Sequence, residues 1–287
     1  STGTVSGTYN VGGLVGYNTL GLTLNGGSST GNVTGSDYYV GGLVGYIDRG
    51  DTNIKNAFST GNIRGTYGIG GLIGFTEISN YANTKTIYNS YVTGTVQGTA
   101  TGDSYVGGLI GGTYWAYLNI FGSSYRGASV TSTGSGVGGL VGQSFYRQID
   151  IRNSYVNVSS ATGVQGTFYV GGMVGYGGSN VSVQSDSTNT SVYGTSLSPY
   201  SNAKVTATSK TGNNAYAGGI AGISNAYYGG TMTINNTSVT GVSVTGPGAY
   251  VGGLVGKLGG SLTTSSNATP RPHSSMPRNS SPSRSSG

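Results

Sequence analysis

The sequence contains no cysteine, a single histidine and a single tryptophan. Disulfide bonds, thiolate chemistry and cysteine-ligated zinc or iron–sulfur sites are therefore excluded. The one histidine, His273, lies in a stretch rich in proline and serine. This placement argues against both a histidine-based catalytic triad and a histidine metal cluster.

Charged residues are also scarce and make up 7% of the chain, against about 25% in an average globular protein. Only seven residues are acidic, so few pairs of catalytic carboxylates can form. The net charge of +6 comes from scattered side chains, whereas nucleic acids bind a stripe of lysine and arginine on one face. No apolar run approaches the roughly 18 residues of a membrane-spanning helix. We therefore expect no catalytic residue, metal, cofactor, nucleic-acid partner or membrane span.

Glycine, by contrast, is abundant, with 57 residues. Much of it lies in one nine-residue string, YNVGGLVGY at 9–17, of which the chain carries eight copies. The first glycines of the eight Gly-Gly pairs are Gly12, Gly41, Gly70, Gly107, Gly138, Gly171, Gly218 and Gly252. Their spacings run from 29 to 47 residues, and self-similarity at such a period is typical of solenoids and propellers.

Each repeat contains three short segments whose apolar residues alternate with period 2, and no stretch shows the helical period of 3.6. This pattern predicts an all-β fold, a β-solenoid (β-helix) of about eight coils with three short strands per coil. A β-propeller is the alternative, although its blades of about 40–50 residues exceed most of the spacings here. We expect the solenoid to cover residues 1–262 and a disordered Pro/Ser/Arg-rich tail or linker to cover 263–287.

An apolar residue follows each glycine pair directly. In a continuous strand it faces away from the valines that precede the pair and follow it, so both strand faces are apolar. Two arrangements are possible. Either inserts or bulky neighbouring side chains of the same chain cover this second face, or its apolar residues form an exposed ladder along which solenoid columns associate. The candidate self-association residues are Leu14, Leu43, Leu72, Leu109, Leu140, Met173, Ile220 and Leu254.

The 23 tyrosines are the strongest lead to a ligand. Tyrosine and tryptophan rings stack on sugars or partner proteins while their polar tips stay hydrated. The alternative is that the same rings only stack on one another between coils. The candidate ligand-binding residues are Tyr114, Trp115, Tyr117, Tyr39, Tyr105 and Tyr169.

The glycine strings, GGLVG at 12–16, 41–45 and 252–256 and GGLIG at 70–74 and 107–111, resemble the GLUG repeat, which is named for Gly-Leu-x-Gly. The flanking TIYNSYVTGTVQG at 86–98 is similar to the rest of that unit. The resemblance covers roughly residues 1–262. It implies an extracellular repeat region, as in bacterial surface and adhesin-like proteins and the non-catalytic parts of some IgA-cleaving zinc peptidases. It implies no protease activity, because the zinc-binding HExxH motif is absent.

These observations favour a non-enzymatic extracellular or cell-surface protein with a structural or adhesive role. Such a protein would assemble with copies of itself, or with neighbouring repeats of a longer chain, through open solenoid ends and apolar ladders. The alternative is an adhesin module whose aromatic side chains contact glycans or host surface proteins. A polysaccharide-active enzyme is the remote alternative, with Asp37 and Asp103 at equivalent positions two coils apart as its carboxylates.

Overall fold

The computed structural model describes residues 1–77, 83–185, 199–209, 215–224, 230–240, 243–247 and 249–265. Throughout these ranges every regular element is a short β-strand. Coil 1 contains β1 (Val5–Gly7), β2 (Val11–Gly12), β3 (Val15–Asn18), β4 (Leu22–Asn25) and β5 (Ser28–Ser29). Coil 2 contains β6 (Val33–Gly35), β7 (Tyr38–Gly41), β8 (Val44–Ile47), β9 (Thr52–Lys55) and β10 (Phe58–Ser59). Coil 3 contains β11 (Ile63–Gly65), β12 (Tyr67–Gly70), β13 (Ile73–Thr76), β14 (Thr84–Tyr88) and β15 (Tyr91–Val92). Coil 4 contains β16 (Val96–Gly98), β17 (Asp103–Gly107), β18 (Ile110–Tyr114), β19 (Tyr117–Phe121) and β20 (Ser124–Tyr125).

The next four coils repeat this order. Coil 5 contains β21 (Ser129–Ser132), β22 (Ser135–Gly138), β23 (Val141–Phe145), β24 (Ile149–Arg152) and β25 (Tyr155–Val156). Coil 6 contains β26 (Gly163–Gly166), β27 (Tyr169–Gly171), β28 (Val174–Gly177), β29 (Val181–Gln184) and β30 (Tyr200–Ser201). Coil 7 contains β31 (Val205–Ala207), β32 (Ala215–Gly218), β33 (Ala221–Ser224), β34 (Thr231–Asn235) and β35 (Ser238–Val239). Coil 8 contains β36 (Val244–Thr245), β37 (Ala249–Gly252), β38 (Val255–Leu258) and β39 (Ser261–Thr264).

Each strand pairs in parallel with its equivalent in the next coil, which builds five sheets along one column. We name them A to E in the order in which one coil visits them, so β1, β2, β3, β4 and β5 begin sheets A, B, C, D and E. The predicted β-solenoid is confirmed, and the parallel pairing between coils rules out the propeller. The predicted count of three strands per coil is wrong. The glycine string is split between sheets B and C, and the two-residue strands of sheet E were too short to show a period.

The glycine pairs align in register from Gly12 to Gly252 and form a corner between sheets B and C. An ideal Cβ on Gly107 would lie 1.9 Å from the carbonyl oxygen of Ile110. On Gly108 it would lie 2.1 Å from the oxygen of Gly139, and on Gly111 2.4 Å from that of Gly74. Backbone segments therefore approach so closely at this corner that only glycine fits.

The corner also decides where the leucines point. Leu72 N–H donates to Leu109 O at 2.9 Å in the next coil, and the chain bends there instead of continuing as one strand. Alternation of side chains applies only along a continuous strand, so the bend turns the residue after each glycine pair into the interior. The six central members are fully buried in the core: Leu43, Leu72, Leu109, Leu140, Met173 and Ile220.

Both predicted placements of this row are therefore wrong for the central coils. These side chains form no outer ladder for lateral self-association, and they are not covered from outside by inserts or bulky neighbours, because they pack inside the column. Only the two end members differ. Leu14 is 39% exposed and Leu254 is half-buried, because one neighbouring coil is missing at each end of the described column.

Stacked asparagines close the turn after sheet D. Asn56 donates to the Asn25 side-chain oxygen at 3.2 Å, and Asn89 donates to that of Asn56 at 2.7 Å. Asn56 and Asn89 have φ of 53° and 44°, a left-handed conformation that asparagine tolerates better than most residues. The turn is thus fixed by backbone conformation and by hydrogen bonds between coils.

The charged side chain of Lys85 enters the core. Lys85 aligns with Thr52 and Leu118 in the inward-facing row of sheet D and is fully buried. Its amine donates to the carbonyl oxygen of Gly50 at 2.5 Å. Burial lowers the pKa of Lys85 to about 8, against the opposing effect of Asp51 and Asp48. The folded state therefore binds this proton less tightly than the unfolded chain does.

This lysine predicts a specific pH dependence. Between pH 8 and 10 the unfolded chain retains the proton that folded Lys85 has lost, so the free energy of unfolding rises by up to about 1.4 kcal/mol per pH unit. Above pH 10 the free energy of unfolding falls again, because burial raises the pKa of Tyr46, Tyr67 and Tyr105 above the usual value of a tyrosine. Urea titrations at a series of pH values measure both the rise and the fall in the free energy of unfolding. Lys85→Met should abolish the rise, and a rise that persists in that variant would show that another group causes it.

The column extends slightly past the predicted boundary at residue 262, since β39 pairs with β34 as far as Thr264. The remainder of the predicted tail, 266–287, lies outside the described residues.

Candidate functional site

Aromatic side chains cover the outer surface where sheets B and C meet. They are joined by an unbroken series of ring contacts along the column. We name this surface the aromatic face. Its members are Tyr9, Tyr17, Tyr38, Tyr39, Tyr46, Tyr67, Phe75, Tyr105, Tyr114, Trp115, Phe145, Tyr146, Phe168, Tyr169, Tyr176, Tyr216 and Tyr250.

Nine members of the face come from two positions of the repeat. One is the residue two before a glycine pair, such as Tyr39, and the other is the residue five after its first glycine, such as Tyr46. The others lie three before a pair or seven and eight after its first glycine. The Tyr39 ring stacks on Tyr46 at 4.7 Å and on Phe75 at 4.9 Å. Tyr39 has φ of 60°, which is unusual for a bulky residue. This conformation turns the ring sideways over the next coil, where Gly68 leaves room for it.

The centre of the face is more deeply buried. The Tyr67 and Tyr105 rings lie 4.8 Å apart, edge to face. Burial raises the pKa of Tyr67 to about 12. Burial, followed by the neighbouring Tyr67 and Asp103, also raises the pKa of Tyr105. Both hydroxyls therefore keep their protons at neutral pH and remain hydrogen-bond donors.

The cluster at the edge of sheet C completes the face. Trp115 stacks on Tyr146 at 4.1 Å, and Tyr114 contacts Phe145 at 4.4 Å. The Arg147 guanidinium lies 6.0 Å from the Trp115 ring centre and 5.3 Å from that of Tyr117. Such cation–π contacts hold the rings in place.

Five of the six predicted ligand residues come together on this face: Tyr39, Tyr105, Tyr114, Trp115 and Tyr169. Tyr117 lies at its border, 37% exposed and connected through Arg147. The same rings also stack between coils, since Tyr169 stacks on Tyr216 at 5.8 Å. The prediction missed the second aromatic row, which includes Tyr17, Phe75 and Tyr176. These residues recur five positions after the first glycine of a pair, and that recurrence could have revealed them.

The acidic pair considered for hydrolysis is separated by a coil. Asp37 belongs to coil 2 and Asp103 to coil 4, and Thr66 of coil 3 donates its N–H to the Asp37 carbonyl at 3.4 Å. In the described part of the chain, no group of three or more acidic or histidine side chains is placed to hold a metal ion. The described residues also contain no helix long and apolar enough to cross a bilayer.

Fold and surface together define a β-solenoid repeat protein with one aromatic face. Residues 36–64, which span most of coil 2, match the GLUG motif. The chain therefore carries the predicted GLUG repeat, and the parallel register places the same glycine corner in every coil.

Other similarities are distant. No curated protein matches the chain. A crystal structure from Bacteroides ovatus, named as a "putative immunoglobulin A1 protease", is similar at 16% sequence identity and a TM-score of 0.48. The similarity covers 91% of this chain and 65% of that one.

Proposed function

We propose that this chain is a non-catalytic, extracellular or cell-surface module that binds glycans or host surface proteins through the aromatic face. The continuous series of ring contacts on one outer surface of a rigid column carries the proposal. Tyrosine and tryptophan supply large contact areas at low entropic cost. Rings that neighbouring coils already hold lose little further freedom on binding.

Exposure along the face supports this role. Tyr9, Tyr17, Tyr38 and Tyr250 are 59%, 48%, 46% and 53% exposed. Each nevertheless stacks on a neighbouring ring, so its orientation is set before any partner arrives. Tyr9, Tyr17 and Tyr38 adjoin one another in coils 1 and 2, whereas Tyr250 is exposed in coil 8 at the other end of the face. Adjoining exposed aromatic side chains of this kind mark interaction sites on soluble proteins.

The test compares a face variant with a matched control. The variant combines Tyr17→Ser, Tyr38→Ser and Trp115→Ala, and the control is Tyr91→Ser, which changes a stacked tyrosine on sheet E. Binding is measured on a glycan array and on immobilised extracellular host proteins. Loss of aromatic anchors should weaken binding at least tenfold, about 1.4 kcal/mol, while the control binds like wild type. Equal binding by both variants, or no binding by wild type, would refute the proposal.

A structural role is the second candidate. Leu14 is 39% exposed, whereas its equivalent Leu43, which has a described coil on each side, is fully buried. Further coils, from the same chain or from a second copy, would bury Leu14 and pair with the open strand edges. Regular fibres of the purified chain in negative-stain electron microscopy would favour this role over a monomeric binding module.

A further inference from the structure

Coil 5 lacks rings at two repeat positions of the aromatic face. In coil 2 its two ring positions are Tyr39 and Tyr46, whereas in coil 5 they are Gly136 and Gln143. In coil 4 the position equivalent to Tyr46 is Gly112, which pairs with Gln143. Coil 5 thus carries neither ring and coil 4 carries only the first, Tyr105, and a cavity of about 310 Å³ lies there.

Gln143 is the most informative residue in this cavity. It lines the cavity but is only 4% exposed. Its side-chain oxygen has no hydrogen-bond partner among the described residues. Leaving such a buried acceptor unsatisfied costs about 1–3 kcal/mol, so a ligand hydroxyl that reaches the Gln143 oxygen would relieve that cost.

A second polar group lies at the same cavity. Asp103 lines it at the start of β17, where a β-bulge sets Asp103 opposite Ser135. The Asp103 carboxylate accepts the Ser135 hydroxyl at 2.7 Å and also interacts with the Tyr105 hydroxyl. A carboxylate has about four acceptor sites, so it can accept further hydroxyl groups. Its negative charge, with no basic residue among the described lining residues, disfavours anionic ligands.

The remaining walls are aromatic. Phe145 lies 5.6 Å from both Tyr105 and Tyr176, and Tyr176 lies 5.4 Å from Tyr169. Sites for small molecules combine aromatic and apolar side chains with a few placed polar groups and occupy about 300–1,000 Å³. A volume at the lower end of that range suits one ring and not an oligosaccharide.

We propose that this cavity binds one neutral hexopyranose unit. Its ring packs against Phe145, Tyr169 and Tyr176, and its hydroxyls donate to the Gln143 oxygen and to the Asp103 carboxylate. The inference rests on the proposed glycan-binding function and narrows it to a neutral sugar held between coils 4 and 6.

Two substitutions at one position test the site. Gln143→Met keeps the side chain's length but removes its acceptor, and Gln143→Tyr restores the ring that coil 2 carries there. The matched control is Gln165→Met on β26 of sheet A. Binding of methyl glucoside, galactoside, mannoside and N-acetylglucosaminide at millimolar concentration is measured by saturation-transfer NMR. The methyl glycoside of glucuronic acid serves as the anionic probe.

Wild type and Gln165→Met should bind at least one neutral glycoside equally. Gln143→Met should bind it at least tenfold more weakly, Gln143→Tyr should not bind it, and the glucuronide should not bind wild type. No neutral binding by wild type, or binding retained by Gln143→Tyr, would overturn the cavity assignment. If the cavity assignment is overturned but the variant Tyr17→Ser, Tyr38→Ser, Trp115→Ala still loses binding on the glycan array, the proposed glycan-binding function stands and only the sugar site is wrong. If that variant also binds the array like wild type, the proposed function and the sugar site are both wrong.

Discussion

Gly107→Ala is expected to lower the free energy of unfolding by about 3 kcal/mol or more, because a close-packed backbone gives way less easily than a side chain. The added Cβ would lie 1.9 Å from the Ile110 carbonyl oxygen and 2.7 Å from the Gly142 nitrogen of the next coil. Relief requires that the corner between sheets B and C opens, which breaks contacts with both neighbouring coils. Urea denaturation followed by circular dichroism measures the loss.

The matched control for this substitution is Gly102→Ala. An ideal Cβ on Gly102 meets no atom of the described residues within 4 Å, so its effect should stay within about 0.5 kcal/mol. Equal stability of Gly107→Ala and Gly102→Ala would show that the backbone at the corner between sheets B and C is less closely packed than described.

Leu109→Asp should destabilise the column by about 3–5 kcal/mol, the usual penalty for an unpaired charge in a protein interior. Leu109 is fully buried between the equivalent residues of coils 3 and 5. Leu14→Asp changes the same repeat position where the side chain is 39% exposed, so it should cost far less. The same urea titration compares them. Similar small effects for both would mean that the central leucines face solvent, as an outer ladder requires.

The glycine spacing was sufficient to predict the stacking of the coils. Every pairing in sheet B brings the first glycine of one string opposite the first glycine of the next, as with Gly41 and Gly70. The register between coils could be predicted from the sequence because a parallel solenoid aligns equivalent residues of successive repeats. Even the 47-residue spacing from Gly171 to Gly218 preserves this register.

The direction of the leucines was not predictable from alternation. A strand rule applied across Gly70 and Gly71 places Leu72 outside, whereas the bend at that corner places it inside. Sequence alone shows that glycine permits a corner, but not that one is made. The contacts that require it, such as the oxygen of Gly108 2.0 Å from a Cβ on Gly71, join different coils.

The sequence predicted an aromatic candidate site, but it did not predict which rings contact one another or where a cavity forms. The aromatic cluster around Trp115 follows from composition, yet its stacking partner Tyr146 lies in the next coil. The proposed sugar cavity depends on Gly112, Gly136 and Gln143, and Gly112 lies beside Gln143 only after coils 4 and 5 stack. Each of these residues alone reads as ordinary variation of the motif.

Hydroxyl-radical footprinting with mass spectrometry most directly tests the central claim, that the glycine corners turn the leucines inward and leave the aromatic face outward. We predict strong labelling of Leu14, Tyr17 and Tyr38 and strong protection of Leu72 and Leu109 in the intact chain. Labelling of the central leucines to the extent of Leu14, or full protection of the exposed tyrosines, would contradict the account.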